Sequence, residues 1–99
     1  MIVPLEEAKA HLRIETNEED EYLTGLIRQA QAAAEDYCRR SFGPDGAGAE
    51  APEPVRLAVL LMVSHYHEYR DSPDSAAYNT MRMAFESLLY PYRDPERMF

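Results

Sequence analysis

The sequence has few of the residues that build covalently or metal-stabilised domains. Cys38 is the only cysteine among 99 residues, which excludes an internal disulfide and a zinc site with several cysteines. A single free thiol is typical of a protein that folds in the cytoplasm. The longest apolar run, residues 57–63, is too short to cross a bilayer, and the first nine residues lack the pattern of a signal peptide. We therefore expect one domain, residues 1–99, with no membrane contact.

Positive charge is also scarce. Lys9 is the only lysine, and 18 acidic against 10 basic side chains give a formal net charge of −8. Modules that bind duplex nucleic acid show the opposite balance, with clustered lysine and arginine. We therefore expect no sequence-specific binding to nucleic acid. The nine arginines favour planar pairing with carboxylates, which suits contacts between proteins.

What is present is apolar spacing of the helical type. Pro4 can open a short helix, and Ile14 after it is predicted to be buried. Thr16 and Glu19 have the spacing of a capping box, which predicts the start of a long second helix. Gly43 and the proline after it are predicted to end that helix. The first helix has one apolar face of Leu5, Ala8 and Leu12. The stripe predicted for the second helix is Leu23, Leu26, Ile27, Ala30, Ala34, Tyr37 and Cys38.

A glycine-rich segment, 43–51, is predicted to be a flexible loop before the third helix. Residues Leu57–Val63 are apolar on every side, so the third helix should be central and covered all round. Pro73 ends it, and a fourth helix begins near Ser75 or Ala76 and stops at Pro91. Its predicted stripe is Met81, Ala84, Phe85, Leu88 and Leu89. The fold class is all-α: a small four-helix bundle with a long second helix, a buried central third helix and an extended C-terminal tail, 91–99.

The stretch SHYHEYRDSP, residues 64–73, raises the question of a metal or acid–base site. His65 and His67 are two positions apart, so about 200° of helical rotation separates them and they cannot hold one ion together. A site formed by His65, Glu68 and the distant His11 is the less favoured interpretation. A polar helix end with packed aromatic rings is the favoured one. No serine or cysteine has the context of a nucleophile, and we expect no enzyme activity, metal or cofactor.

Four segments in order resemble the head–tail connector proteins of long-tailed bacteriophages and prophages. They are LEEAKAHLRI, YLTGLIRQAQAAAEDYCRRSF, PEPVRLAVLLMVSHYHEYRDS and FESLLYPYRD, and together they cover roughly residues 4–94. The resemblance implies a non-enzymatic adaptor between the capsid portal and the tail. It implies a ring homo-oligomer on the portal, contacts with the portal protein and a tail-side connector protein, and a place at the head–tail junction of the virion after assembly in the host bacterial cytoplasm. Residues 72–80 match no part of the pattern.

The resemblance also places Tyr66, Glu68 and Arg70 where family members carry aromatic residues followed by Glu-x-Arg. It implies that Tyr66 packs and that the two charged residues lie near a subunit contact. Aromatic residues and arginine, which are enriched at protein interfaces, suggest a second contact region beyond the last helix. The candidates there are Tyr90, Tyr92, Arg93, Arg97 and Phe99.

Two alternatives remain open at this point. The tail could fold back on its own bundle, although we expect it to serve assembly rather than stability. The whole chain could instead be a small intracellular interaction or regulatory domain of prophage origin, including an acidic protein that mimics DNA. The acidic charge fits both that domain and a ring through which DNA slides without sticking.

Overall fold

The computed structural model describes residues 2–42 and 51–94, and within these ranges the secondary structure is helical with no β-strand. The elements in chain order are α1, Leu5–Leu12; α2, Asp20–Cys38; α3, Glu53–Glu68; α4, Ser75–Leu89; and a 3-10 turn, Tyr90–Tyr92. The predicted all-α, four-helix class is confirmed. The predicted loop lies outside the described residues except at Ala51. Among the described helices, none combines the length and apolar character needed to cross a membrane.

Helix α3 is the centre of the bundle, as the sequence predicted. It packs against α1, α2 and α4, and its buried side chains are Val55, Ala58, Val59, Leu60, Met62 and Val63. The expectation that it is covered on every side is wrong. Leu57 is 45% exposed and Leu61 is only partly buried. The two lie one turn apart, so they mark the one side of α3 that its neighbours leave uncovered.

Helix α2 shows the predicted apolar stripe, but both of its ends differ from prediction. Six of the seven stripe residues are buried, and Tyr37 is partly buried against the core. The prediction of a capping box is wrong, because α2 begins at Asp20 and the Glu19 side chain makes no capping hydrogen bond. Lys9 instead holds this turn, since its Nζ donates to Asn17 Oδ1 (2.7 Å) and Asp20 Oδ1 (2.8 Å). Helix α2 ends before Gly43: Arg39, left-handed with φ 58°, is the C-cap, where its N–H satisfies a terminal carbonyl.

Helix α1 and the residues around it cover one side of the core. Ala8 is buried, and Leu5, Leu12 and Ile14 pack against the core while partly exposed, so Ile14 is less deeply buried than predicted. Pro4 is the N-cap of α1 rather than a residue of its first turn.

Helix α4 starts at Ser75, as predicted, because Asp74 caps it. The Asp74 carboxylate accepts a hydrogen bond from the Ala77 N–H at 3.0 Å, which satisfies one of the free N–H groups of the first turn. Met81, Phe85 and Leu89 face the core. Ala84 was predicted to face the core too, but it is exposed, because the contact with α3 and α2 covers only the narrow side that carries those three residues.

The chain beyond Pro91 differs from the extended tail expected from sequence. It first makes the 3-10 turn and then docks on the C-terminal end of α2. Arg93 Nε donates to Tyr37 O at 3.1 Å, and the Asp94 N–H donates to Cys38 O at 2.9 Å. These carbonyls end a helix and need partners, so residues up to 94 belong to the fold of their own protomer. Residues 95–99 lie outside the described part of the chain.

Candidate interaction surfaces

The predicted contact residues form two groups at opposite ends of the bundle. Tyr66, Glu68 and Arg70 lie at the turn between α3 and α4, which we call the turn end. The second group, Tyr90, Tyr92 and Arg93, follows the last residue of α4, at what we call the tail end. The 15 residues of α4 span about 21 Å between the two ends. Two other candidates, Arg97 and Phe99, lie outside the described residues.

Aromatic rings cluster at the turn end around His65. Its ring centre lies 5.6 Å from that of Tyr66, 4.9 Å from Tyr69 and 5.8 Å from Tyr78 on α4. Tyr66 packs against the core, in the role that the resemblance implied. Burial of its hydroxyl, reinforced by Tyr78, raises the pKa of Tyr66. His65 therefore joins α3 to α4 through Tyr78. Tyr78, one of the four rings, comes from residues 72–80, the segment that the resemblance drawn from sequence left unmatched.

A cleft of about 460 Å³ opens beside these rings. We call it the aromatic cleft. Its walls are the end of α3, the turn and the first turn of α4, and its lining residues are His65, Tyr66, Tyr69, Arg70, Pro73, Asp74, Ser75, Tyr78 and Asn79. The cleft combines ring faces with a few polar tips, the composition typical of sites that bind a short peptide segment or a small molecule.

Arg70 has a partner within its own chain. Its guanidinium donates to the Glu19 carboxylate at the start of α2 and lies 5.3 Å from the ring centre of Tyr22. Glu68, the third candidate at this end, is exposed. Arg70 therefore links α2 to α3 besides bordering the aromatic cleft. The sequence offers no signal for this pair, because 51 residues separate its members and the spacing of Glu19 from Thr16 is that of a helix cap.

The tail end combines one exposed and two docked candidates. Tyr90 is 65% exposed, whereas Tyr92 is partly buried and packs against the core. The Arg93 guanidinium lies 4.6 Å from the ring centre of Tyr37. Cys38, beneath them, is fully buried, with its thiol 3.7 Å from Leu89 O. Burial raises the pKa of the Cys38 thiol, so it is a packing residue, as its place on the apolar stripe predicted.

The sequence that forms these helices matches a known protein family. The family model of the phage gp6-like head-tail connector protein matches residues 2–94, which include all four helices and the docked residues 92–94. The chain belongs to the phage gp6-like head-tail connector family. No match to it was found among curated proteins or among solved structures. The resemblance drawn from sequence is confirmed, and with it a structural connector role in the phage particle.

The two histidines of the connector's turn end face different helices, as their spacing predicted. His65 contacts Tyr78 of α4, whereas His67 Nε2 lies 3.6 Å from Glu19 Oε1 at the start of α2. Within residues 2–42 and 51–94, no three histidine, cysteine or acidic side chains are grouped closely enough to hold a metal ion. Both rings therefore serve contacts between helices in the connector.

The Glu19 ion pair should make the connector's stability depend on pH. The hydrogen bond from Arg70 lowers the pKa of Glu19. A carboxylate whose pKa is lower in the folded state stabilises the protein above its unfolded pKa, about pH 4.3, and this contribution is lost as pH falls through the folded value. We expect Glu19→Gln to be less stable than the parent at neutral pH. The difference should shrink below about pH 4.3, as measured by urea unfolding across pH.

Glu18 provides the matched control for this measurement. It is the adjacent glutamate in the same turn and is exposed, so Glu18→Gln should follow the parent at every pH. An equal loss of stability in the two variants would mean that the Glu19 effect comes from general charge rather than from the pair with Arg70.

Proposed function

We propose that this connector is a ring-forming adaptor, without enzyme activity, that joins the capsid portal to a tail-side connector protein at the head–tail junction of the virion. The observation that carries the proposal is the family match over residues 2–94. It spans the whole described bundle rather than a single motif. A structural subunit contacts its neighbours through its whole surface. Its family is therefore expected to be recognisable over the whole chain rather than at one motif.

The outer side of α4 supports a role in protein contacts. Met83 is 74% exposed, and Ala84, Ser87 and Tyr90 are exposed on the same side of the helix. None of these four residues is charged, although the chain has a net charge of −8. An exposed uncharged surface with a methionine and a tyrosine resembles the centre of a protein interface. The net negative charge of the rest of the chain suits a ring that lets DNA pass without binding it.

The proposal can be tested with the portal and tail-side proteins encoded by the same phage or prophage. When the connector is mixed with purified portal, electron microscopy should show an added ring-shaped layer on the tail side of the portal. The same particles should then bind the tail-side protein, whereas portal alone should not. Unfolded connector, obtained with the Val59→Asp variant described in the Discussion, is the negative control.

A different outcome would favour the regulatory alternative. If the portal remains bare in these mixtures, and deletion of the connector gene leaves the yield of tailed particles unchanged, the protein is not the adaptor. Altered expression of phage genes in the same deletion would then point to a small interaction domain.

A further inference from the structure

The aromatic cleft has the size and chemistry of a receptor for a short peptide segment. Its volume of about 460 Å³ is within the usual range for ligand sites, roughly 300–1,000 Å³. Three tyrosines and one histidine supply ring surface, and the tyrosines keep polar tips that can bond to a peptide backbone. Arg70 and Asp74 border the cleft with opposite charges. A suitable ligand therefore has an apolar or aromatic side chain next to a pair of opposite charges.

The chain itself contains such a segment, immediately after the last described residue. Residues 95–99 read Pro-Glu-Arg-Met-Phe. Met98 and Phe99 match the ring surfaces, since sulfur and aromatic side chains both pack well on tyrosine. The adjacent Glu96 and Arg97 are complementary in charge to Arg70, which also pairs with Glu19, and to Asp74, which also caps α4; a guanidinium and a carboxylate can each bond to more than one partner.

We propose that residues 95–99 of one connector bind in the aromatic cleft of a neighbouring copy. The inference rests on the proposed ring and identifies a contact within it. The chain leaves the described bundle where the Asp94 N–H is bonded to Cys38 O, at the C-terminal end of α2. Arg70 of the cleft is bonded to Glu19 at the opposite end of α2, and the 19 residues of that helix span about 27 Å. Five residues span at most about 17 Å when fully extended. The cleft of a neighbouring copy is therefore a better receptor than the cleft of the same copy.

Such a contact has a direction. The tail end of each copy meets the turn end of the next, so the two surfaces are different and every copy uses both. Contacts of this kind continue from subunit to subunit and close into a ring when the rotation between neighbours allows it. The cleft and the segment 95–99 would then form one repeating interface of the ring.

Disulfide trapping between two full-length variants tests the contact. Asn79→Cys places a thiol in the cleft, where Asn79 is exposed, and Met98→Cys places one in the segment. Native Cys38 can be kept, because it is fully buried. When the two proteins are mixed and mildly oxidised, the mixed dimer should form much faster than with Gln29→Cys in place of Asn79→Cys, since Gln29 is exposed on α2. Adding Phe99→Ala should slow trapping by about tenfold or more, the loss expected for an aromatic anchor.

Two results would overturn the proposal. One is a rate no higher than that of the Gln29→Cys control at the highest soluble concentration. The other is an internal disulfide that forms readily in the dilute Asn79→Cys, Met98→Cys double variant, because the segment would then occupy its own cleft. The portal experiment remains separate. A ring on the portal without trapping rejects this contact but not the adaptor function, whereas trapping without a ring on the portal rejects the function alone.

Discussion

Replacing Val59 with aspartate should unfold the protein. Val59 lies in the middle of α3 with no exposed surface, and α3 packs against the other three helices. A carboxylate at this position would lose its water without gaining a partner, which costs several kcal/mol. The whole folding free energy of a domain of this size is about 5–15 kcal/mol. We expect Val59→Asp to lose the cooperative urea transition and most of its helical circular dichroism.

Leu57→Asp is the matched control, because Leu57 lies on the same helix only two positions away. Its side chain is 45% exposed, so the new carboxylate can remain hydrated and the loss should be within about 1 kcal/mol. Equal destabilisation by the two substitutions would show that α3 is covered on all sides, as its sequence suggested. A stable Val59→Asp protein would show that α3 is not the centre of the bundle.

Helical periodicity was sufficient to predict which elements form and which of them is central. The stripe on α2 was predicted residue by residue, because a helix with one apolar side can face the core in only one way. Helix α3 gave no such information about orientation. It is apolar all round from Leu57 to Val63, so the sequence could not show that the side bearing Leu57 and Leu61 is left uncovered. That depends on how three other helices arrange themselves around it.

Helix boundaries and long-range pairs were harder to predict than the helices. Arg39 adopts a left-handed conformation at the end of α2, a position that glycine usually takes, so the nearest glycine misled the prediction by several residues. Glu19 has the spacing of a cap within its own helix, yet it pairs with Arg70 across the bundle. Both errors have one cause. Local patterns describe residues that are close in sequence, whereas the partner that a side chain contacts depends on how the helices pack.

The candidate contact residues at the tail end fall into an exposed group and a docked group, and local sequence patterns could not separate the two. The residue types at the tail end suggested a surface for assembly, and Tyr90 remains exposed as such a surface requires. The residues that follow instead satisfy the carbonyls at the end of α2, Tyr37 O and Cys38 O. No sequence pattern shows that a tail will meet a helix end 56 residues away. Residues 93 and 94 therefore make contacts within their own protomer, where the sequence suggested a surface for assembly.

The double variant Tyr92→Ala, Arg93→Ala should accordingly lose about 2–3 kcal/mol of unfolding free energy. Removing the partly buried Tyr92 ring costs about 1 kcal/mol. The hydrogen bond from Arg93 to Tyr37 O contributes about another 1 kcal/mol, and its contact with the Tyr37 ring about 0.5–1 kcal/mol. Urea unfolding followed by circular dichroism measures the loss, and the folded baseline should keep its helical signal, because α1 to α4 remain intact.

Tyr90→Ala separates docking from assembly within the same 3-10 turn. Tyr90 is 65% exposed, so its removal should change the unfolding free energy by no more than about 0.5 kcal/mol. If Tyr90 lies in an interface, the same variant should bind the portal less well, because truncation of a tyrosine anchor commonly costs 1 kcal/mol or more, or about fivefold in affinity.

Unchanged unfolding free energy in the Tyr92→Ala, Arg93→Ala variant would mean that residues 92–94 do not dock on α2 in solution. The region after Pro91 would then be available to a partner in the way that its aromatic and arginine content first suggested.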